Sequence, residues 1–126
     1  MRLLDFRTGL RRFLRWSEEQ AEAAGITSQQ HQLMLAVRGH ADPRGPTIGE
    51  LAEYLLSRHH TVVGLVDRAE NAGLVRRAGD PEDHRVVRVT LTRSGAEHLE
   101  RLGAQHLEEL SRMAPRMREL WEGLSV

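Results

Sequence analysis

The sequence has no cysteine and no lysine. Without thiols there is no disulfide framework, no thiolate zinc site, no cysteine nucleophile and no thiol redox switch. Without an ammonium side chain there is no phosphate-binding P-loop, no Schiff base and no lysine general base. Long apolar runs are missing as well. The longest, Leu33 to Val37, falls far short of the roughly 20 residues that a membrane span needs. Met1-Arg2-Leu3-Leu4-Asp5 carries no signal-peptide core, so a cytoplasmic location without a membrane partner is expected. What is present, 126 residues of which 40% are apolar, suffices for one soluble domain with a modest core.

Formal charge sums to zero, 18 acids against 18 cations, and every cation is an arginine. The charge is distributed in blocks: residues 1–16 carry net +4, residues 17–56 carry −4, residues 57–94 carry +2 and residues 95–126 carry −2. Attraction to a polyanion depends on where charge sits rather than on its sum. A nucleic-acid surface on this chain must therefore come from the first and third blocks.

Apolar spacing lays out the elements. Leu3, Phe6, Leu10, Phe13, Leu14, Ala21 and Ala24 recur at helical spacing, and Gly25 follows as a C-terminal cap. Thr27 or Ser28 can cap a second helix that must stop before Asp42-Pro43-Arg44-Gly45-Pro46. Thr47 caps a short third helix, with Glu50 three residues on as the second half of a capping box. Ser57 offers the next cap, opening a helix over 58–72 whose inward stripe is Val62, Leu65, Val66 and Ala69 and which Gly73 ends. Leu74 to Arg77 reads as a strand, Gly79 to Asp83 as a turn, and Val86, Val87, Val89 and Leu91 as a return strand. Thr92 caps a last long helix, which Pro115 is expected to break from a final helical piece carrying Met117, Leu120, Trp121 and Leu124. The fold class is mainly α with a small β-hairpin wing.

Residues 47–91 thus follow the order of a winged helix-turn-helix, in which the second helix of the pair enters the DNA major groove and the hairpin reaches a neighbouring backbone or minor groove. The outward face of that helix holds His60, Gly64, Asp67 and Asn71, flanked by Thr61 and Arg68. Gly64 sits mid-helix at roughly 1 kcal/mol below alanine in propensity, which suits either a close approach to the backbone or a tolerated surface glycine. In the hairpin, Arg76, Arg77, Arg85 and Arg88 surround a tip bearing Asp80, Glu82 and Asp83. A guanidinium beside a carboxylate can be held extended and aimed outward, and an arginine at a wing tip suits the strong negative potential of a narrow minor groove. Asp83 and Arg85 can equally tie the hairpin together.

These residues resemble the MarR-type winged-helix transcriptional regulators. The likeness is carried by Gly25-Ile26-Thr27-Ser28-Gln29-Gln30, by Ile48-Gly49-Glu50-Leu51-Ala52-Glu53, and by the run from Thr61 to Val75. Its most specific part is the wing, Asp80-Pro81-Glu82-Asp83-His84-Arg85-Val86-Val87-Arg88-Val89-Thr90-Leu91-Thr92, with Gly95 after it. The resemblance implies a homodimer: residues 1–24 and 95–126 form a helical dimerisation region and residues 27–92 a DNA-binding lobe. It implies that Arg85 is the wing arginine of the minor groove and Asp83 the carboxylate that orients it. Ser57, Arg58, His59, His60, Thr61 and Arg68 would make major-groove base and phosphate contacts, with Gly64, Arg76, Arg77 and His84 beside them. His84 stands where many relatives have arginine, and Glu82 adds an acid at the tip, both lowering the wing's positive charge.

Dimerisation also follows from the apolar stripes at the two ends of the chain, which a small winged module cannot cover alone. A two-fold dimer calls for a pseudo-palindromic duplex site with half-sites about one helical turn apart. The resemblance further implies a ligand-responsive repressor that releases DNA on binding a small aromatic or phenolic effector, for which Trp16, His31, Arg38 and Tyr54 are the candidate lining. The seven histidines include no pair at i, i+4 and no H-E-x-x-H, so neither a metal nor another cofactor is expected. His106 falls on an apolar stripe and reads as a satisfied interior histidine. No nucleophile–base pairing is visible, so an enzyme is not expected. The alternative to a DNA-binding regulator is a winged-helix protein-interaction module, favoured by zero net charge and the acidic wing tip.

Overall fold

The computed structural model describes residues 2–124. Its elements, in chain order, are α1 (Arg2–Ala23), α2 (Ser28–Gly39), α3 (Ile48–Leu55), α4 (His59–Asn71), β1 (Val75–Gly79), β2 (Val87–Leu91) and α5 (Arg93–Glu122). The chain divides into two compact units, residues 29–100 and residues 1–28 with 101–126. Residue 1 and residues 125–126, the extremities of the expected helical region, lie outside the described residues.

The lobe of residues 29–100 has a continuous apolar core. Leu33, Met34 and Val37 of α2, Leu51 of α3, and Val62, Leu65, Val66 and Ala69 of α4 are buried together with Leu74, Val75 and Val89 of the hairpin. The α4 stripe is the i, i+3, i+4, i+7 pattern of a helix with one face inward. Thr47 caps α3 as expected: its hydroxyl accepts from the Glu50 N–H at 3.2 Å, and the Glu50 carboxylate accepts from the Thr47 N–H at 3.0 Å. That bond holds the Glu50 carboxyl below its usual range. At the end of α4, Gly73 at φ 77 lets its own N–H reach the Glu70 carbonyl while Leu74 N–H reaches Ala69, satisfying carbonyls the helix leaves open. Gly25 closes α1 in the same way.

The strands pair antiparallel, from Val75 opposite Leu91 to Gly79 opposite Val87. The first strand thus begins one residue later and runs two residues further than the sequence suggests, and Val86 belongs to the turn rather than to the return strand. The sheet is extended by a single bridge between Thr47 and Arg88, with Val89 N–H donating to the Pro46 carbonyl at 2.9 Å. Gly45 is required there: it sits at φ 96, and a Cβ would stand 2.2 Å from the Val89 carbonyl oxygen. Thr92 caps α5, its hydroxyl accepting from Gly95 N–H at 3.0 Å and donating to the Gly73 carbonyl at 2.6 Å.

Two expectations are corrected. Pro115 does not divide the last helix, and α5 runs unbroken through it. Proline removes one backbone bond, but the apolar stripe continues past it: Met117 and Leu120 both come within 3.3 Å of where a Gly9 Cβ would stand on α1. Packing of that face holds the helix together. Ser57 is not the N-cap of α4. Its hydroxyl donates backward to the Leu55 carbonyl at 3.1 Å, and the cap is Arg58, which makes no side-chain capping bond. The turn between α3 and α4 is made instead by Leu56 in the left-handed region, φ 51 and ψ 44.

In the other unit, α1 and the C-terminal part of α5 pack antiparallel. Phe6 meets Trp121 at 5.6 Å between ring centroids, and Phe13 and Trp16 meet His106 at 6.1 and 4.9 Å. His106 Nδ1 faces the Leu102 carbonyl at 2.7 Å, which can only accept, so Nδ1 carries the proton. Nε2 on the other side of the ring lies 2.7 Å from the Ser17 hydroxyl, within hydrogen-bond distance. The interior histidine expected from the sequence is satisfied in this way.

Candidate nucleic-acid interface

The N-terminal turn of α4 and the wing supply the residues singled out by the sequence. Ser57, Arg58, His59, His60, Thr61 and Arg68 are all exposed. Because Arg58 provides no side-chain cap, the first N–H groups of this 13-residue helix are left for another acceptor, and the positive end of the helix dipole favours an anion. Gly64 is passed by its own helix rather than left open: Arg68 leans back one turn, with Nη1 3.4 Å from the position of a Gly64 Cβ.

The side chain of Arg85 in the wing is 91% exposed. Asp83 holds it there, accepting from the Arg85 N–H at 3.0 Å, from Nε at 3.1 Å and from Nη2 at 3.3 Å. These bonds keep the Asp83 carboxyl below its usual range, the guanidinium contributing most. A groove of about 580 Å³ joins wing to helix, lined by His59 and Val63 of α4, by Arg85 and Val87, and by Thr47 and Gly49 at the start of α3. His84 and Arg76 are exposed on the same hairpin.

Arg77 has a different occupation. Its N–H and guanidinium bond Glu70 at 2.9 and 3.1 Å, and the guanidinium also pairs with Asp67. It clamps the hairpin to α4, and both its charge and that of Asp67 are spent inside the lobe. Arg77, expected beside the DNA contacts, is thus already ion-paired within the lobe.

Sequence reasoning missed two groups. Gln29 and Gln32 of α2 line a small cleft of about 120 Å³ with Ser57, Thr61 and Arg68, so α2 belongs to this surface. Their polarity alone carried no signal, since exposed glutamines on a helix are ordinary. Asp80, read as a tip acid, is 5% exposed. It accepts from Arg88 Nε at 2.7 Å, which together with backbone bonds from Glu82 and Asp83 keeps its carboxyl below the usual range.

The four residues expected to line an effector cleft have separate surroundings. His31 is buried in the lobe, Arg38 is exposed at the end of α2, and the Tyr54 hydroxyl pairs with His40 Nδ1 at 3.0 Å. Trp16 belongs to the other unit, against Phe13 and His106. Among the described residues no three His, Asp or Glu side chains are grouped to hold a metal ion, and no helix is long and apolar enough to cross a membrane.

Residues 24–86 match the MarR family. The chain belongs to that family. It is 36% identical over 74 residues to the transcriptional activatory protein BadR of Rhodopseudomonas palustris, covering 59% of this chain and 42% of BadR. It is 38% identical over 85 residues to the transcriptional regulator HosA of Escherichia coli O111:H-, covering 68% of this chain and 58% of HosA. The chain therefore matches about two fifths and three fifths of the length of these relatives. Its fold is that of the S. aureus MepR–DNA complex, with a TM-score of 0.71 at 23% identity over 95% of this chain and 98% of that one. The family and these relatives are transcriptional regulators, not enzymes.

Proposed function

We propose that the protein is a sequence-specific, DNA-binding transcriptional regulator that acts as a homodimer on a pseudo-palindromic duplex site in the cytoplasm. α4 reads the major groove through Ser57, Arg58, His59, His60, Thr61 and Arg68, and Arg85 enters the adjacent minor groove. The observation that carries this reading is Arg85 itself, its side chain 91% exposed at the wing and held by the carboxylate of Asp83 two residues away. The uncapped start of α4 supports it, since phosphate oxygens are natural acceptors for those N–H groups. MepR, of the same fold, is crystallised on DNA. A dimer seated over a promoter would block it, and on that ground the regulator is read as a repressor, although the relative BadR is an activatory protein by name. Release by a small aromatic or phenolic effector belongs to the same reading, with Arg38 as the exposed cation that would meet an anionic one.

The competing protein-interaction module rests on zero net charge and an acidic wing tip. Burial of Asp80 and pairing of Asp83 leave Glu82 as the exposed acid there, which weakens that reading.

With an operator recovered by selecting bound fragments from genomic DNA, Arg85→Ala is expected to weaken binding by about 1 to 3 kcal/mol while the dimer stays intact. Unchanged affinity removes Arg85 from the interface.

A further inference from the structure

The wing arginine is held by Asp83, and Asp83 is itself held by something. The loop of residues 80–86 is closed by Asp80 at both ends: Asp80 N–H donates to the Val86 carbonyl at 2.9 Å, while its Oδ1 accepts from the N–H of Glu82 at 2.8 Å and of Asp83 at 3.3 Å. Val86 N–H then returns to the Asp83 carbonyl at 3.0 Å. The second carboxylate oxygen, Oδ2, accepts from Arg88 Nε at 2.7 Å, and Arg88 Nη1 donates to the Gly45 carbonyl at 2.9 Å. Asp80 and Arg88 side chains are only 6% and 16% exposed. Arg88 thus reaches across to the loop before α3, where Arg44 and Asp42 form a second, outer pair at 2.8 Å. The same strand is fixed to that loop by the Thr47–Arg88 bridge and the Val89–Pro46 bond.

Resting on the DNA-binding reading above, we infer that Arg88 and Asp80 are positioning residues for the minor-groove contact. Arg88 ties the tip loop to the segment that starts α3, Asp80 sets the backbone of Asp83, and Asp83 aims Arg85. An arginine is needed at position 88 because one planar fork must serve a carboxylate and a carbonyl at once, which an ammonium cannot do with fixed geometry. Removing it takes away the direct Nε bond and leaves the buried Asp80 carboxylate with only the more distant Arg44 guanidinium, Nη1 at 3.8 Å, so the loop is held less firmly in one shape. Arg85 would keep its charge and lose its direction. The spacing between the major-groove helix and the minor-groove arginine, which a specific site must match, is set by this chain of contacts.

The test is a double-mutant cycle on the selected operator, using the full chain. Arg88→Met keeps the apolar stem and removes the fork. It is expected to weaken operator binding about tenfold in the otherwise unaltered protein, and less than twofold when Arg85 is already alanine, because the two residues act through one contact. Binding to random-sequence duplex should change little, since the Arg88 guanidinium is mostly buried and engaged by Asp80 and the Gly45 carbonyl. Arg88→Lys should recover only part of the loss. Asp80→Asn, which keeps the side chain's shape, carries the same cycle should Arg88→Met not fold. An equal loss in both backgrounds, or no loss in either, overturns the inference while leaving the DNA-binding reading intact. Operator affinity indifferent to Arg85→Ala overturns the wing reading and the inference with it.

Discussion

The two units of the chain handle apolar surface in opposite ways. In the lobe of residues 29–100, the helices and hairpin bury Leu33, Met34, Leu51, Val62, Val66, Val75 and Val89 almost completely. In the helical unit Ala21, Ile26 and Leu102 are buried, while Leu3, Leu4, Leu14, Leu107 and Trp121 stand between 59% and 69% exposed. The polar chemistry divides likewise. In the lobe some ion pairs join different elements, Arg77 of β1 to Asp67 and Glu70 of α4 and Arg88 of β2 to Asp80 of the turn, beside local pairs such as Arg85 with Asp83, whereas in the helical unit Arg15 with Glu19 and Arg112 with Glu109 each lie within one helix. Local pairs on a helix surface contribute a few tenths of a kcal/mol. The lobe therefore closes its own core, although Leu56, Tyr54 and Leu35 remain exposed on it. The helical unit leaves an apolar face exposed, the face that the proposed dimer would cover.

That contrast can be broken in three places. The largest effect is expected at Leu51, fully buried in α3. Leu51→Ala should lower lobe stability by about 2 to 5 kcal/mol, read by chemical denaturation. A loss below 1 kcal/mol would mean the lobe core is less complete than its burial indicates. Leu14→Glu comes next. On a surface that stays exposed, such a change is worth within about 0.5 kcal/mol. In a dimer interface it should raise the self-dissociation constant about a hundredfold, near 3 kcal/mol, with the lobe still folded. Sedimentation showing the same oligomer for both proteins would leave the helical face without its assigned occupant.

The smallest effect is the acid response of the wing. Asp80 and Asp83 have lowered carboxyl pKa values in the folded lobe, set chiefly by the Arg88 and Arg85 guanidinium groups. A lowered folded value means their contribution is fully present above the ordinary unfolded value of about 3.9 and is lost as pH falls through the folded value. Melting temperature should therefore drop more steeply below about pH 4 in the unaltered chain than in Asp80→Asn. Parallel acid limbs would show that the buried pair contributes nothing to this response.

Local signals were legible in the sequence and long-range ones were not. The capping box at Thr47 and Glu50, the glycine stops at Gly25 and Gly73, and the Asp83–Arg85 pair all lie within a few residues, so spacing alone foretold them. The continuity of α5 through Pro115 was hidden because it depends on Gly9 of a distant helix receiving Met117 and Leu120. Asp80 looked like one more solvated tip acid because the carbonyl shared by its arginine partner, that of Gly45, lies 43 residues before Arg88. The left-handed turn at Leu56 carries no glycine or asparagine to announce it.

The central claim, that α4 and the wing form a duplex DNA surface despite zero net charge, is tested most directly by binding affinity across a salt series. Counterion release makes the logarithm of the association constant fall linearly with the logarithm of salt concentration. With several arginines on phosphates, operator affinity should drop on the order of a thousandfold between roughly 50 and 200 mM salt. Absence of duplex binding at the lowest salt, or an affinity indifferent to salt, would contradict the account.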